Sequence, residues 1–317
     1  MAPGWTSYHH RLQYQTYDIT ELLEKDNEIT VTVGNGWYKG ELGFDARPNL
    51  YGDRTALLAM VRIEYEDGEI ICIGTDTDWH VETGEILFSE IYHGEIQDYT
   101  KERRQVGKAV LFEHTDDIGQ IVAQESEPVR VTKRFDVKER IVTPKGELVF
   151  DFGQNFAGVI RIRLRGEPYT EVKIQYSEIL NKDNTLNMEY LRVSDPSYPL
   201  PMQCDTYVLK GDGEEVYQPR FTYHGFRYVS VEGGVRDLRE EDVVGVAMYT
   251  AVRQTGQFVC GNVLINRIQD NILWTERSNL YSIPTDCCQR SERQGWLNDL
   301  TARAEASVYN FDLNLFY

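Results

Sequence analysis

The chain has 317 residues, of which 41% are hydrophobic and 26% are charged, a composition typical of globular proteins with two or three domains. Its formal net charge of -18 at pH 7 would repel a phosphate backbone, and no cluster of Lys and Arg offsets it, which excludes a nucleic-acid partner. No apolar run reaches the roughly 20 residues that cross a bilayer, and the first five residues, Met1 to Trp5, lack a signal-peptide pattern, so we expect a cytoplasmic protein without a membrane partner.

Short β-rich runs separated by turns fill the first 130 residues. Residues 29–33 and 57–65 are rich in β-branched and aliphatic side chains, and Asp67-Gly68 follows the second run. An Asp-Gly pair favours a two-residue hairpin, because both positions tolerate positive φ. Strands at such short intervals predict a β-sandwich domain over residues 1–130.

A second β-rich unit is predicted over residues 131–235. Within it the run 159–165 alternates strictly, so Ile160, Ile162 and Leu164 share one face of a strand and three arginines share the other. A row of arginines on a sheet is usually solvated, so we expect no anion site there. We interpret this unit as a second β-sandwich domain.

Beyond the second β unit the apolar spacing changes to that of helices. Leu264, Ile268 and Ile272 recur every four residues, which predicts a first helix. The apolar seam of a second predicted helix consists of Leu300, Ala304, Val308, Phe311 and Leu315. These helices, with a loop over 281–296 between them, form a third unit at residues 236–317.

The last residues of the chain continue the helical pattern. They contain no Gly, Pro or basic cap before Tyr317, so we expect a helical domain that is truncated within these 317 residues. Such a domain would leave apolar side chains in water. We expect the helices to fray, fold back on the sandwiches or self-associate, unless a separate C-terminal half covers them.

The loop between the two helices is dense in ionisable and aromatic groups. Asp286, Glu292 and Asp299 are three carboxylates interleaved with Arg290 and Trp296. Hydrolysis of a glycosidic bond needs one protonated carboxylic acid beside the leaving oxygen and one carboxylate on the opposite face of the sugar. A tryptophan can raise the pKa of a nearby carboxyl and stack on a sugar ring. On the residues alone, a loop of surface ion pairs is the favoured interpretation.

The cysteines do not predict a metal site or a disulfide framework. They show no CxxC spacing and have no histidine at ligand spacing. We therefore expect no metal and no cofactor, and we interpret the adjacent pair as reduced thiols. The five are Cys72, Cys204, Cys260, Cys287 and Cys288.

Residues 284–296, PTDCCQRSERQGW, resemble the signature of the bacterial α-L-rhamnosidases of glycoside hydrolase family 78. Segments elsewhere in the chain are similar to the same family, so the resemblance extends from about Tyr14 to Tyr317. These segments are 34–40, 92–95, 151–158, 221–228 and 274–280.

The resemblance implies a mainly β chain, with two jelly-roll-like β-sandwich domains followed by the first helices of an incomplete (α/α)6 barrel. It also implies an inverting glycosidase that releases terminal α-L-rhamnose from glycosides or polysaccharides. Matched by position, Glu292 is the general acid, while Asp286 and Arg290 hold sugar hydroxyls. Trp296 is an aromatic wall of the sugar subsite. Asp299 falls on a recurrent acidic position, where ligand contact and a helix N-terminal role have equal weight.

The chain departs from the family pattern at three positions in or near the signature. Ser291 stands where many members have Asp, Cys288 where the family usually has Pro, and Asn298 where Gly is common. The first change replaces an ionised acceptor with a neutral hydroxyl, and the second removes a fixed φ. The family's general base lies downstream of these 317 residues, so we expect the chain alone to be inactive.

Two further interpretations remain open. The chain would be a non-catalytic carbohydrate-binding or assembly module if the helices are remnants. It would be one half of a split enzyme if a second chain supplies the base. Hydrolysis of an aryl α-L-rhamnoside, with and without a downstream partner, separates these from a partial rhamnosidase.

Outside the loop, we expect the singled-out aromatic and histidine side chains to be structural. His224 is interpreted as a hydrogen-bonded histidine between sheets. Trp37 and Tyr38 are interpreted as core or interdomain aromatics, in preference to a sugar platform.

Overall fold

The computed structural model describes residues 3–43, 47–112, 119–191, 201–235 and 237–317. Strands dominate and helices are few, which confirms the prediction of a mainly β chain. Within the described residues, no helix is both long enough and apolar enough to cross a membrane.

Eight strands lie in the part of the chain that was predicted to form the first sandwich. They are β1 (Arg11–Tyr14), β2 (Met60–Glu64), β3 (Ile70–Gly74), β4 (His80–Thr83), β5 (Ile86–Glu90), β6 (Gly94–Asp98), β7 (Arg104–Lys108) and β8 (Gln120–Ala123). Eight more follow before the first long helix. They are β9 (Val129–Asp136), β10 (Glu139–Val142), β11 (Leu148–Arg165), β12 (Glu171–Ser177), β13 (Cys204–Val208), β14 (Glu214–Tyr217), β15 (His224–Glu232) and β16 (Val243–Thr250).

Helices and two very short strands complete the described structure. The α-helices are α1 (Gly36–Lys39), α2 (Val263–Ser278) and α3 (Leu297–Asn310), and the short strands β17 (Leu280–Tyr281) and β18 (Ile283–Pro284) pair with each other between α2 and α3. Single 3-10 turns lie at Thr20–Leu22, Glu189–Leu191 and Glu240–Asp242.

A ten-stranded sheet forms the centre of the molecule. Its order is β5-β6-β13-β12-β15-β11-β16-β9, with β10 and β14 also paired to the 18-residue strand β11. Ile160, Ile162 and Leu164 on β11 are fully buried, which confirms the predicted alternation. On the opposite face Arg163 lies 3.3 Å from the Asp242 carboxylate. This face is therefore occupied by ion pairs, as is usual for charged residues at a sheet surface.

The hairpin β5-β6 joins this sheet although it precedes residue 130. Strand β6 runs parallel to β13, with Ile96 opposite Thr206. The turn of the hairpin, residues 91–93, is buried, and its Ile91 carbonyl accepts a hydrogen bond from Arg293 of the 281–296 loop at 2.8 Å. The domain boundaries at 130 and 235 stay a prediction.

The remaining N-terminal strands form three two-stranded sheets, β1-β8, β2-β3 and β4-β7. A hairpin is present around Asp67-Gly68, since β2 pairs with β3, but the predicted two-residue turn is wrong. Tyr65 N donates to Glu69 O across three residues, and of the pair only Gly68, with a φ of 87°, is at positive φ. The strand predicted over residues 29–33 is wrong. That segment belongs to no strand and is exposed, because β-propensity stabilises a strand only where a neighbour supplies hydrogen bonds and a packed face.

Both predicted helices are present. Asn262 caps α2, where its side-chain oxygen accepts a hydrogen bond from the Leu264 backbone N–H at 2.9 Å. The predicted seam of α3 is too long, since the helix ends at Asn310. Phe311 instead forms a β-bridge with Gln254 and is buried in a small core with Leu313. Burial against this core outweighs continuation of the helix.

Candidate active site

The 281–296 loop packs between the β5-β6 hairpin and strand β15. One cluster of buried apolar residues draws on all three parts of the chain. It contains Tyr8, Trp37, Leu42, Ile91 and Tyr92, then Ala157, Met202 and Tyr223, then Tyr281 and Cys288. Gly225 and Gly43 permit the close approach. A Cβ at Gly225 would overlap the Cys288 sulfur, and one at Gly43 would lie 2.6 Å from Gln294 Nε2.

Arg293 fixes the buried side of the loop. Its side chain is 0% exposed, and Nη1 donates hydrogen bonds to the carbonyls of Ile91 and Tyr223, both at 2.8 Å. The guanidinium also lies between two rings, with its centre 5.1 Å from Tyr92 and 4.8 Å from Tyr223. Backbone carbonyls and ring faces thus satisfy a buried cation. Sequence reasoning missed this role, because arginines are rarely buried and the spacing of Arg293 carries no periodic signal.

The carboxylates of Asp286 and Glu292 come together at the other side of the loop. Asp286 Oδ1 accepts a hydrogen bond from Gln294 N at 2.8 Å, which closes the loop onto itself. A carboxylate oxygen of Asp286, the sulfur of Cys287 and a carboxylate oxygen of Glu292 all lie within 4.8 Å of one another. Such a group is close enough to bind a cation, but exposed acidic groups commonly meet without one, and we assign no metal here.

The environment favours a protonated Glu292. Partial burial, and then the charge of Asp286, raise the pKa of Glu292 above its ordinary value. The Trp296 indole N–H donates to Glu292 Oε1 at 2.7 Å and, with the Arg290 charge, opposes that rise. The net shift of the Glu292 pKa is upward, which is the direction that a general acid requires.

The predicted site residues differ in their contacts and in their exposure to solvent. Glu292 contacts both Asp286 and Trp296, and Trp296 is 40% exposed. Arg290 is exposed beside them, and its carbonyl accepts a hydrogen bond from the buried Arg293 at 3.0 Å. Asp299 is exposed in the first turn of α3, where a negative charge suits the helix dipole. Its contact with a ligand stays a prediction.

Glu178 is a site neighbour that sequence reasoning did not identify. It follows β12, and its carboxylate accepts hydrogen bonds from Asn155 Nδ2 at 2.6 Å and Gln289 Nε2 at 2.9 Å. Burial raises the pKa of Glu178, while these donors and Arg290 lower it. Asn155 belongs to the singled-out segment 151–158, so Glu178 links that segment to the loop.

The histidine and tryptophan expected to be structural lie inside the molecule. His224 is buried, bonds to the Asp205 carboxylate at 3.2 Å and stacks on Tyr176 at 4.0 Å between ring centres. Burial lowers the pKa of His224, and the Asp205 carboxylate opposes that shift. Trp37 is 3% exposed and stacks on Trp5, so it is a core aromatic.

Three family models together match nearly the whole chain. The α-L-rhamnosidase N-terminal domain matches residues 1–133, and the bacterial α-L-rhamnosidase concanavalin-like domain matches 141–249. The bacterial α-L-rhamnosidase 6 hairpin glycosidase domain matches 253–317, which contains the 281–296 loop.

Curated relatives carry the same name. An α-L-rhamnosidase of Streptomyces avermitilis is 38% identical over 323 residues, which cover 98% of this chain and 30% of the relative. One of Formosa agariphila is 31% identical over 334 residues, covering 100% of this chain and 35% of the relative. The chain thus spans about a third of the length of these relatives.

Solved structures agree with the sequence comparisons. The Streptomyces avermitilis α-L-rhamnosidase complexed with L-rhamnose superposes with a TM-score of 0.89 at 36% identity, covering 99% of this chain and 31% of that one. The native α-L-rhamnosidase of Aspergillus terreus gives 0.88 at 34% identity, covering 99% and 37%. Sequence, order of domains and fold coincide, and the chain belongs to the bacterial α-L-rhamnosidases, of which it is an N-terminal portion.

Proposed function

We propose that this chain supplies the acid side of an inverting α-L-rhamnosidase active site, with Glu292 as the general acid. The observation that carries the proposal is the position of Glu292, whose carboxyl shares a hydrogen bond with Asp286, accepts another from the Trp296 indole, and has a pKa raised by partial burial and by the Asp286 charge. An acid placed in this way can protonate the glycosidic oxygen as the bond to the sugar breaks.

Asp286 does not fit the role of catalytic base. Inverting glycosidases keep their two carboxyl groups about 6.5–9.5 Å apart, so that a water fits on the far face of the sugar. Asp286 and Glu292 have oxygens within 4.8 Å and share a hydrogen bond. We therefore place the base outside these 317 residues and give Asp286 the role of holding sugar hydroxyls.

The other predicted residues complete one wall of a rhamnose subsite. The exposed Trp296 ring offers an apolar face for the sugar ring or its methyl group. Arg290 adds a cation that can donate to hydroxyls, and Asp299 is the second candidate acceptor. The substrate class is a glycoside or polysaccharide with terminal α-L-rhamnose, in keeping with the matched relative that was solved with L-rhamnose.

Helices α2 and α3 are, in this proposal, the first helices of an (α/α)6 barrel. The open face of α2 supports it, since Leu264, Ile268 and Ile272 are 68%, 49% and 40% exposed. Apolar side chains on one helix face are ordinarily covered by another element. The further hairpins of the six-hairpin domain are the expected cover, and self-association is the competing outcome.

A fusion enzyme tests the general acid. These 317 residues replace the matching segment of the Streptomyces avermitilis relative, and hydrolysis of 4-nitrophenyl α-L-rhamnoside is measured. We expect Glu292→Gln to lower kcat about 10²–10⁴-fold, the usual value of general acid catalysis. The exposed Glu305 on α3 provides the control, because Glu305→Gln removes a similar charge away from the loop. Activity retained in Glu292→Gln would contradict the proposal.

The unfused chain tests the location of the base. We expect no turnover of the same substrate, because no second carboxylate stands across the sugar from Glu292 in our assignment. Turnover by the 317 residues alone that disappears in Glu292→Gln would place the base within them.

A further inference from the structure

The turn of the β5-β6 hairpin is the part of the N-terminal sequence that reaches the acid. Tyr92, 1% exposed, donates a hydrogen bond from its hydroxyl to the main-chain carbonyl of Glu292 at 3.0 Å. Its ring lies on the guanidinium of Arg293, and the carbonyl of Ile91 accepts a bond from the same guanidinium at 2.8 Å. Two consecutive loop residues are thus held by two consecutive turn residues.

The turn is itself held from both sides. The Glu90 carboxylate accepts hydrogen bonds from the backbone N–H of Tyr92 and of Glu41, both at 2.8 Å. Two more hydrogen bonds come from the start of β13. Gln203 N donates to Tyr92 O at 3.2 Å, and Cys204 N donates to His93 O at 2.8 Å. The Tyr92 ring therefore projects from a fixed backbone.

We propose that Tyr92 is a positioning residue for Glu292, through which the N-terminal sequence sets the placement of the acid. Its hydrogen bond goes to the carbonyl of Glu292 and leaves the carboxyl free to contact Trp296 and a sugar. Fixing the backbone from which a catalytic side chain projects preserves its reactive geometry. The role of Glu292 as an acid rests on the proposed function, whereas its positioning by Tyr92 does not.

The chain contains a matched control for the Tyr92 hydroxyl. Tyr223 covers the other side of the Arg293 guanidinium and is equally buried. Its hydroxyl has no hydrogen-bond partner within the described part of the chain. Replacing either tyrosine with Phe keeps a ring on the guanidinium, and Tyr92→Phe alone removes a bond to the loop.

Hydrogen exchange of the 317-residue chain measures the loop directly. We expect the amides of residues 286–296 to exchange about tenfold faster in Tyr92→Phe, the effect of losing roughly one hydrogen bond. In Tyr223→Phe the same amides should exchange within about twofold of the wild-type rate. Equal acceleration in both variants, or none in Tyr92→Phe, would overturn the proposal.

A second measurement follows the carboxyl itself. The fluorescence of Trp296, isolated by difference from Trp296→Phe, reports the titration of Glu292 through their hydrogen bond. The ionisable groups facing Glu292 are Asp286, Cys287 and Arg290. We expect Tyr92→Phe to move the midpoint toward that of a free glutamate, because a loosened loop leaves Asp286 less firmly apposed. A midpoint unchanged from wild type would count against positioning.

Neither measurement uses a rhamnoside, so failure of the fusion enzyme and failure of this proposal are separate results. If Tyr92→Phe does not fold, as judged by circular dichroism, Arg293→Lys tests the adjoining contact between turn and loop, in which the guanidinium donates to the Ile91 carbonyl and lies on the Tyr92 ring. It keeps the charge but lacks the planar guanidinium, whose Nη1 donates to the carbonyls of Ile91 and Tyr223 while Nε donates to the carbonyl of Arg290. Loop exchange in Arg293→Lys equal to wild type would then overturn the proposal.

Discussion

The 281–296 loop has a buried face and an open face, and they are made by adjacent residues. Arg293 is fully buried against carbonyls and rings of both β units, whereas Glu292 next to it is partly exposed with its carboxyl toward Trp296. Thr285 and Cys288 belong to the buried face as well. A charged residue within a signature is therefore not by itself evidence of ligand contact, since Arg293 of this signature is buried and structural.

The same division recurs on helix α2. One face packs toward the central sheet, where the Trp274 ring lies 5.2 Å from that of Phe135. Leu273 packs against the small core formed with Phe311 and Leu313. The other face carries exposed Ile268 and Ile272. In the loop, the packed residues directly adjoin the residues of the site. In α2, the packed face directly adjoins the exposed face.

The largest effect on stability should come from the buried arginine. Arg293→Ala leaves the carbonyls of Ile91 and Tyr223 unpaired and creates a cavity between two rings, so we expect it to cost about 3–5 kcal/mol of unfolding free energy. Urea denaturation checks this. Arg290→Ala removes an exposed arginine three residues away and should change stability by at most about 0.5 kcal/mol. Similar losses of unfolding free energy in Arg293→Ala and Arg290→Ala would contradict the distinction between a buried and an open face of the loop.

The next largest effect on the free energy of unfolding is expected from Glu95, a buried acid near the turn of the β5-β6 hairpin. Burial, and then the charge of Asp205, raise the pKa of Glu95 to about 7, from an ordinary value of 4.5. Because the folded pKa is raised, the folded state keeps a proton that the unfolded chain releases between these pH values. The contribution of Glu95 to stability should therefore fall by about 3 kcal/mol as pH rises from 4.5 to 7, and level off above.

The comparison of variants isolates that contribution. Glu95→Gln should flatten the dependence of unfolding free energy on pH within this window, while Glu82→Gln on the exposed strand β4 should leave it unchanged. If both variants keep the wild-type slope, Glu95 does not retain its proton in the folded state.

A smaller effect is expected where β15 touches the loop. Gly225→Ala would bring a Cβ into the Cys288 sulfur, and we expect a loss of about 1–3 kcal/mol from overpacking. Cys288→Ala makes room, so the double variant should recover most of that loss. Additive losses in the double variant would show that the contact is not steric.

The sequence could predict what depends on local pattern. The alternation of Ile160 to Leu164, a hairpin at Asp67-Gly68 and the helix that contains Leu264, Ile268 and Ile272 all follow from spacing or turn chemistry, and all are present. The join of β6 to β13 could not be predicted, since it pairs residues more than a hundred positions apart. The five predicted site residues came from resemblance, and no local rule separates Glu292 from Arg293.

The smallest effect is expected on the open face of α2, and it concerns what covers that face. In the 317-residue chain Ile268→Ala removes an exposed side chain and replaces a β-branched residue with a better helix former, so stability should change by no more than about 0.5 kcal/mol. Leu273→Ala, on the packed face of the same helix, should cost about 1–3 kcal/mol. Urea unfolding at several protein concentrations measures both changes. If Ile268→Ala costs as much as Leu273→Ala, and does so only at high concentration, then a second copy of the chain covers this face. If the two costs differ as expected at every concentration, the face is open in this chain and free to receive the rest of a helical domain.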